Sequence, residues 1–125
     1  MTDKPRKTPG PDHPITVTPT SGRVVVKLGG EVIADSRDAL TLQESTYPAV
    51  QYIPRKDVDF SKLERTEHQT YCPYKGDASY YSLVPAGEDG VNSVWSYESP
   101  YDPVAQIKDH VAFYPNRVDS IEITG

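Results

Sequence analysis

Short β-branched runs fenced by proline or glycine limit what this chain can fold into more than any other feature. Ile15-Thr16-Val17-Thr18 ends at Pro19, and Arg23-Val24-Val25-Val26-Lys27-Leu28 lies between Ser21-Gly22 and Gly29-Gly30. Branching at Cβ costs rotamer freedom in a helix and suits a pleated strand, so these runs read as strands. Twelve prolines and eight glycines in 125 residues interrupt the chain too often for long helices. The expectation is one mainly β domain of short strands, since a chain of this length builds one core and not two.

Residues 1–14 carry four prolines and mixed charge with no apolar periodicity. They are expected as a flexible tail ahead of a single β domain over 15–125. Gly29-Gly30 has the two-glycine signature of a tight hairpin, joining 23–28 to Glu31-Val32-Ile33-Ala34-Asp35. Residues 39–44 and 50–53 read as further strands, with Pro48 and Pro54 marking ends or an edge. Residues 57–64 read as a loop or short strand. A second hairpin is expected from 66–72 and 78–84 around Pro73-Tyr74-Lys75-Gly76, where proline fixes φ and glycine tolerates the left-handed closing position. Residues 85–90 read as a turn, 91–97 as a strand, and 110–114 and 120–124 as closing strands. Only 102–108 looks helical, with Asp102 as cap, Pro103 in the first position and Lys108 in the last turn.

Net charge is −5, and the basic residues are scattered, so neither nucleic acid nor an anionic membrane is expected as a partner. A single cysteine permits no internal disulfide and no multi-thiolate zinc site, which suits a reducing compartment. With no signal-like apolar segment and no run near the roughly 18 apolar residues that cross a bilayer, a cytoplasmic location is expected. Three distant histidines and one Asp-x-Asp, Asp57-Val58-Asp59, give little support for a metal. No phosphate-cradling glycine loop is present, and no cofactor is expected. The sequence sets no oligomeric state.

Chemistry concentrates between positions 71 and 101, which hold seven of the twelve aromatic residues, the cysteine and Lys75. Tyrosine and tryptophan join a large apolar body to one polar tip, so such a cluster can floor a small-molecule pocket or simply fill a β core. Cys72 ends a strand before the turn, where the Lys75 ammonium and backbone amides could favour a nucleophilic thiolate, while Asp77 opposes it. The alternative is a thiol that packs as a small hydrophobe. His68 stands four extended residues from Cys72, about 13 Å at ~3.3 Å per residue, too far to pair. His110, from a distant strand, is the better imidazole partner, and His13 is set aside with the tail.

Thr70-x-Cys72-x-x-Lys75-Gly76-x-Ala78-x-Tyr80, Trp95-x-Tyr97 and His110-Val111-Ala112-Phe113-Tyr114 resemble a bacterial family called domain of unknown function 427. Gly30 to Ser36, Leu42-x-Glu44 and Tyr52-x-Pro54-x-x-Asp57 extend the resemblance over residues 23–121. It implies a small antiparallel two-sheet, tent-like β domain with a pocket between its sheets. Many relatives of that fold bind zinc through paired Cys-x-x-Cys motifs, which this chain lacks. The family is sometimes labelled nucleotidyltransferase-like, yet no Gly-Ser turn with a carboxylate triad is present to hold two metal ions. The resemblance nominates Cys72, Lys75, Trp95, Tyr97, Glu44 and His110.

Together these readings give a β domain that recognises a small molecule between Tyr52, Tyr80, Tyr81, Trp95 and Tyr97. In one version Cys72 acts on the ligand with Lys75 as stabiliser and His110 or Glu44 as proton shuttle. In a second version it is a non-catalytic binding module, and in a third an interaction protein.

Overall fold

The computed structural model describes residues 5–125 and contains ten strands. They are β1 (Ile15–Pro19), β2 (Arg23–Leu28), β3 (Glu31–Ser36), β4 (Leu40–Glu44) and β5 (Val50–Pro54), then β6 (Leu63–Cys72), β7 (Gly76–Leu83), β8 (Val94–Ser96), β9 (His110–Phe113) and β10 (Ser120–Thr124). Every pairing is antiparallel. Seven strands form one sheet in the order β1-β4-β5-β9-β8-β7-β6, and β10-β2-β3 form the other. The protein is therefore mainly β, with two antiparallel sheets, and its remaining regular structure consists of short 3₁₀ turns.

The alternation of strand side chains sorts the hydrophobic residues into two cores. Val24, Val26 and Ile33 of the small sheet meet Ile53, Leu83, Val94, Val111 and Phe113 of the large one, filling the space between the sheets. The opposite face of the large sheet carries a second core of Leu42, Tyr52, Ala78, Tyr80, Tyr97 and Ala112. Val104 and Ile107 cover it from the segment Asp102–Ile107.

That segment takes the 3₁₀ form, with Val104 departing from helical dihedrals, and not the α-helix its capping pattern suggested. Six residues cannot repay the nucleation of an α-helix, and a three-residue period brings Val104 and Ile107 onto one face, where both are fully buried. Residues 55–57 and 60–62 are also 3₁₀ turns, which lead into a β6 that starts at Leu63. The strand expected over 91–97 is only three residues long, because Asn92 turns the chain at positive φ before it.

Residues 5–14, expected as part of a tail, lie against the β6–β7 hairpin. Tyr71 Oη donates to Pro5 O at 2.6 Å, Lys7 N donates to Pro73 O at 2.9 Å, and the Arg6 guanidinium sits 3.9 Å from the Tyr101 ring centroid. The first four residues of the expected tail lie outside the described residues.

One irregularity in the large sheet governs the site. β5 pairs with β4 along Val50, Gln51 and Tyr52, but its ladder with β9 contains only Ile53–Val111 and Pro54–His110. Ahead of Ile53 the two strands part, and the sheet is split between β5 and the β8–β9 hairpin.

Candidate functional site

A cavity of about 520 Å³ opens over the second core, where the large sheet splits. Its size lies within the range usual for small-molecule pockets. Tyr52 comes from β5, Tyr80 from β7, Trp95 from β8, Tyr97 from just beyond it and Tyr114 from the end of β9. Leu42 and Glu44 reach it from β4, and Lys75 from the β6–β7 turn.

The turn places Lys75 through backbone bonds on both sides of the residue. Lys75 N donates to Cys72 O at 3.2 Å, and Lys75 O accepts from Tyr101 N at 3.0 Å. Gly76 closes the turn at φ +109, a conformation open to glycine. Lys75 is only 8% exposed, and its Nζ donates to Glu44 Oε1 at 2.5 Å while standing 5.8 Å from the Tyr97 ring centroid. Glu44 Oε2 accepts from His13 Nε2 at 2.8 Å, and the His13 ring stacks on Tyr74 with centroids 4.2 Å apart.

Burial pushes the Glu44 carboxyl up, but hydrogen bonds from Lys75 and His13 together with their charges outweigh it, so the net pKa is lowered. The carboxylate is held ionised at neutral pH. Burial, above all, raises the Tyr52 and Tyr97 phenols well above their ordinary value, and both stay protonated donors. Burial and the Tyr80 hydroxyl push Tyr114 up to about 12. Trp95 Nε1 donates to Tyr52 Oη at 3.1 Å, bridging the split in the sheet. Tyr80 Oη bonds Thr70 Oγ1 at 2.9 Å.

Tyr97 differs from these neighbours. It is 6% exposed, and its hydroxyl has no hydrogen-bond partner among the described residues. No fully buried side-chain oxygen or nitrogen among the described residues lacks a partner, so this hydroxyl keeps some accessible surface, and Tyr97 is one of the residues that line the cavity. Aromatic side chains and one buried ion pair thus line the cavity.

Of the candidates read from the sequence, Glu44, Tyr52, Lys75, Tyr80, Trp95 and Tyr97 line this cavity. Cys72 does not; it is half-buried and packs against the second core from the end of β6. Tyr81 points to the opposite face of β7 from Tyr80 and belongs to the inter-sheet core, with Phe60 at 5.6 Å and Arg55 Nη1 donating to its hydroxyl at 2.8 Å. His110 Nδ1 bonds the Lys108 carbonyl at 2.8 Å, away from the cavity lining. Among the described residues, no three His, Cys, Asp or Glu side chains are grouped so as to hold a metal ion. No helix there is long and apolar enough to cross a membrane.

Three participants escaped the sequence reading, two of which period-two alternation would have found. Ile15 and Val17 pack on the second core, so His13, two residues earlier, falls on the same face beside Glu44. Ala112 packs there too, which places Tyr114 on the cavity side. Tyr47 stands at the cavity's rim, in the turn after β4, and is exposed.

These features define a small two-sheet β domain with an aromatic cavity beside a break in its larger sheet. The chain belongs to the family described as Domain of unknown function (DUF427), which its residues 16–124 match. No curated protein matches it.

Proposed function

We propose that this domain binds a flat, polar-edged organic molecule in the cavity over the split sheet. The observation that carries the reading is the convergence of Tyr52, Tyr80, Trp95, Tyr97 and Tyr114 with the Glu44–Lys75 pair on one cavity, where the Tyr97 hydroxyl has no hydrogen-bond partner among the described residues. A hydroxyl that no protein group engages can exchange water for a ligand acceptor or donor. Rings at the Tyr52, Trp95 and Tyr114 positions supply stacking and edge contacts, and the Glu44–Lys75 pair offers further donors and acceptors at one end. Lys75 and Glu44 cancel in charge, which favours a ligand with no net charge.

The test is a screen of phenols, indoles and other heteroaromatic amides, followed by calorimetry on each hit. Trp95→Ala is expected to weaken binding at least tenfold, whereas Cys72→Ala leaves it unchanged. Binding that survives Trp95→Ala intact overturns this placement of the ligand.

A second reading, in which Cys72 and Lys75 act on the bound molecule, draws support from their shared turn and from the place of Cys72 beside the Tyr52 and Tyr97 phenols. In that case iodoacetamide modifies Cys72 at neutral pH and a saturating ligand blocks the modification. A thiol that is inert in native protein and reacts only after unfolding eliminates the catalytic version.

A further inference from the structure

A second cavity, of about 360 Å³, lies on the inter-sheet side of the same split. Ala49, Val50, Trp95 and Pro115 line both cavities, so the two adjoin at the gap between β5 and the β8–β9 hairpin. Their chemistry differs. The first has Glu44, Lys75 and Tyr97 in its lining. The second is walled by Val26, Ile53, Phe113, Ile121 and Ile123, with Gln51 as its one polar side chain. Gln51 is already engaged, accepting from Thr20 Oγ1 at 2.6 Å and donating to Thr41 Oγ1 at 3.0 Å.

β10 gives this second cavity an outer wall, in which Ile121 packs against the inter-sheet core and Ile123 is not part of it. Ile121 and Ile123 lie two residues apart on one face of an edge strand, and Ile123 is 51% exposed although it lines the cavity. An isoleucine held at such a rim keeps apolar surface in water until something apolar covers it.

The geometry points to a bipartite site: the flat polar head of an amphipathic small molecule sits among Glu44, Lys75 and Tyr97, and its aliphatic extension passes Trp95 into the cavity bounded by Ile53, Phe113 and Ile121. This inference rests on the proposed reading of the first cavity and adds the class of ligand. The occupant follows from continuity, because the residues shared by the two cavities leave the apolar space directly beside the place where the head is held. Trp95 acts as the divider, its nitrogen fixed to Tyr52 in the first cavity and its ring contributing to the wall of the second.

The experiment uses the full chain and 4-n-alkylphenols from ethyl to hexyl, titrated by calorimetry at several temperatures. Each methylene buried in an apolar cavity is expected to tighten Kd about fourfold until the space is filled. The heat-capacity change of binding should become more negative along the series. Ile123→Phe, at an exposed position that folding tolerates, narrows the second cavity. It should flatten the chain-length dependence while leaving the affinity of the shortest phenol within twofold.

An equal affinity for all chain lengths in the native protein overturns the bipartite site and leaves the head-group reading standing. Failure of every member to bind overturns both. A dimer that is lost in Ile123→Ser and competes with hexylphenol assigns the apolar cavity to a second copy of the chain, and that too overturns the inference.

Discussion

Glu44 is the residue on which the candidate site turns, because two cationic or hydrogen-bonding partners from separate parts of the chain meet on its two oxygens. Both members of the Glu44–Lys75 pair are largely shielded, with side chains 14% and 10% exposed. Removing one member leaves the other charge buried, so Lys75→Met should destabilise the protein by about 3 kcal/mol in urea unfolding, and the double variant Lys75→Met/Glu44→Leu should recover much of that loss. A double variant no more stable than Lys75→Met would show that the pair is not what the single substitution disturbs. Because the folded-state pKa of Glu44 is lowered from 4.5, its contribution is complete above pH 4.5 and is lost as pH falls through the folded value. Stability of the native chain minus that of Glu44→Gln, followed from pH 7 to pH 3, should therefore be flat down to about 4.5 and shrink below it. A difference that grows on acidification would contradict the lowered pKa.

At the level of elements, the turn between β1 and β2, which packs against the end of β10, offers a sharp test of how the small sheet is fixed. Gly22 sits at φ +103, and a Cβ there would stand 2.1 Å from Thr124 O, so the last residue of β10 occupies the space a side chain would need. Gly22→Ala should cost about 3 kcal/mol, combining backbone strain with displacement of β10, and should speed amide exchange across Ser120–Thr124. Gly10→Ala, where an added Cβ meets nothing within 4 Å, is the control and should change little. The same contrast explains what was legible in the sequence. β2, β3 and their Gly29-Gly30 turn could be read directly, because β-branched alternation and positive φ are local properties. The turn at Pro73 to Gly76 could be read for the same reason. That β5 would leave β9 after two residue pairs could not, since register between distant strands is set by tertiary packing. The cavity arises from that departure. Hence Lys75, Trp95 and Tyr97 were identifiable as residues of interest while their meeting place was not, and adjacent Tyr80 and Tyr81 looked alike in sequence although alternation sends them to different cores.

For the whole molecule, the segment before β1 joins parts of the chain that are distant in sequence. Its contacts run from Pro5 on Tyr71, through Lys7 on Pro73, to His13 on Glu44 and Tyr74, so it spans the hairpin that carries Lys75 and reaches the strand that carries Glu44. Deleting residues 1–13 should leave both sheets intact, because β1 retains its pairing with β4 from Ile15–Glu44 to Pro19–Leu40. The far-ultraviolet circular dichroism of the deletion variant should match that of the full chain. Its stability should nevertheless fall by about 2 kcal/mol, the scale of one hydrogen bond to a charged group plus one aromatic stack. Amide exchange should quicken at Tyr74 and Lys75 and stay unchanged in β2 and β3, which belong to the other sheet. His13→Ala in the full chain should reproduce most of the stability loss if His13 is the principal anchor. A deletion variant as stable and as protected at the turn as the full chain would show that the segment rests on the hairpin without supporting it, and that Glu44 and Lys75 hold their places unaided.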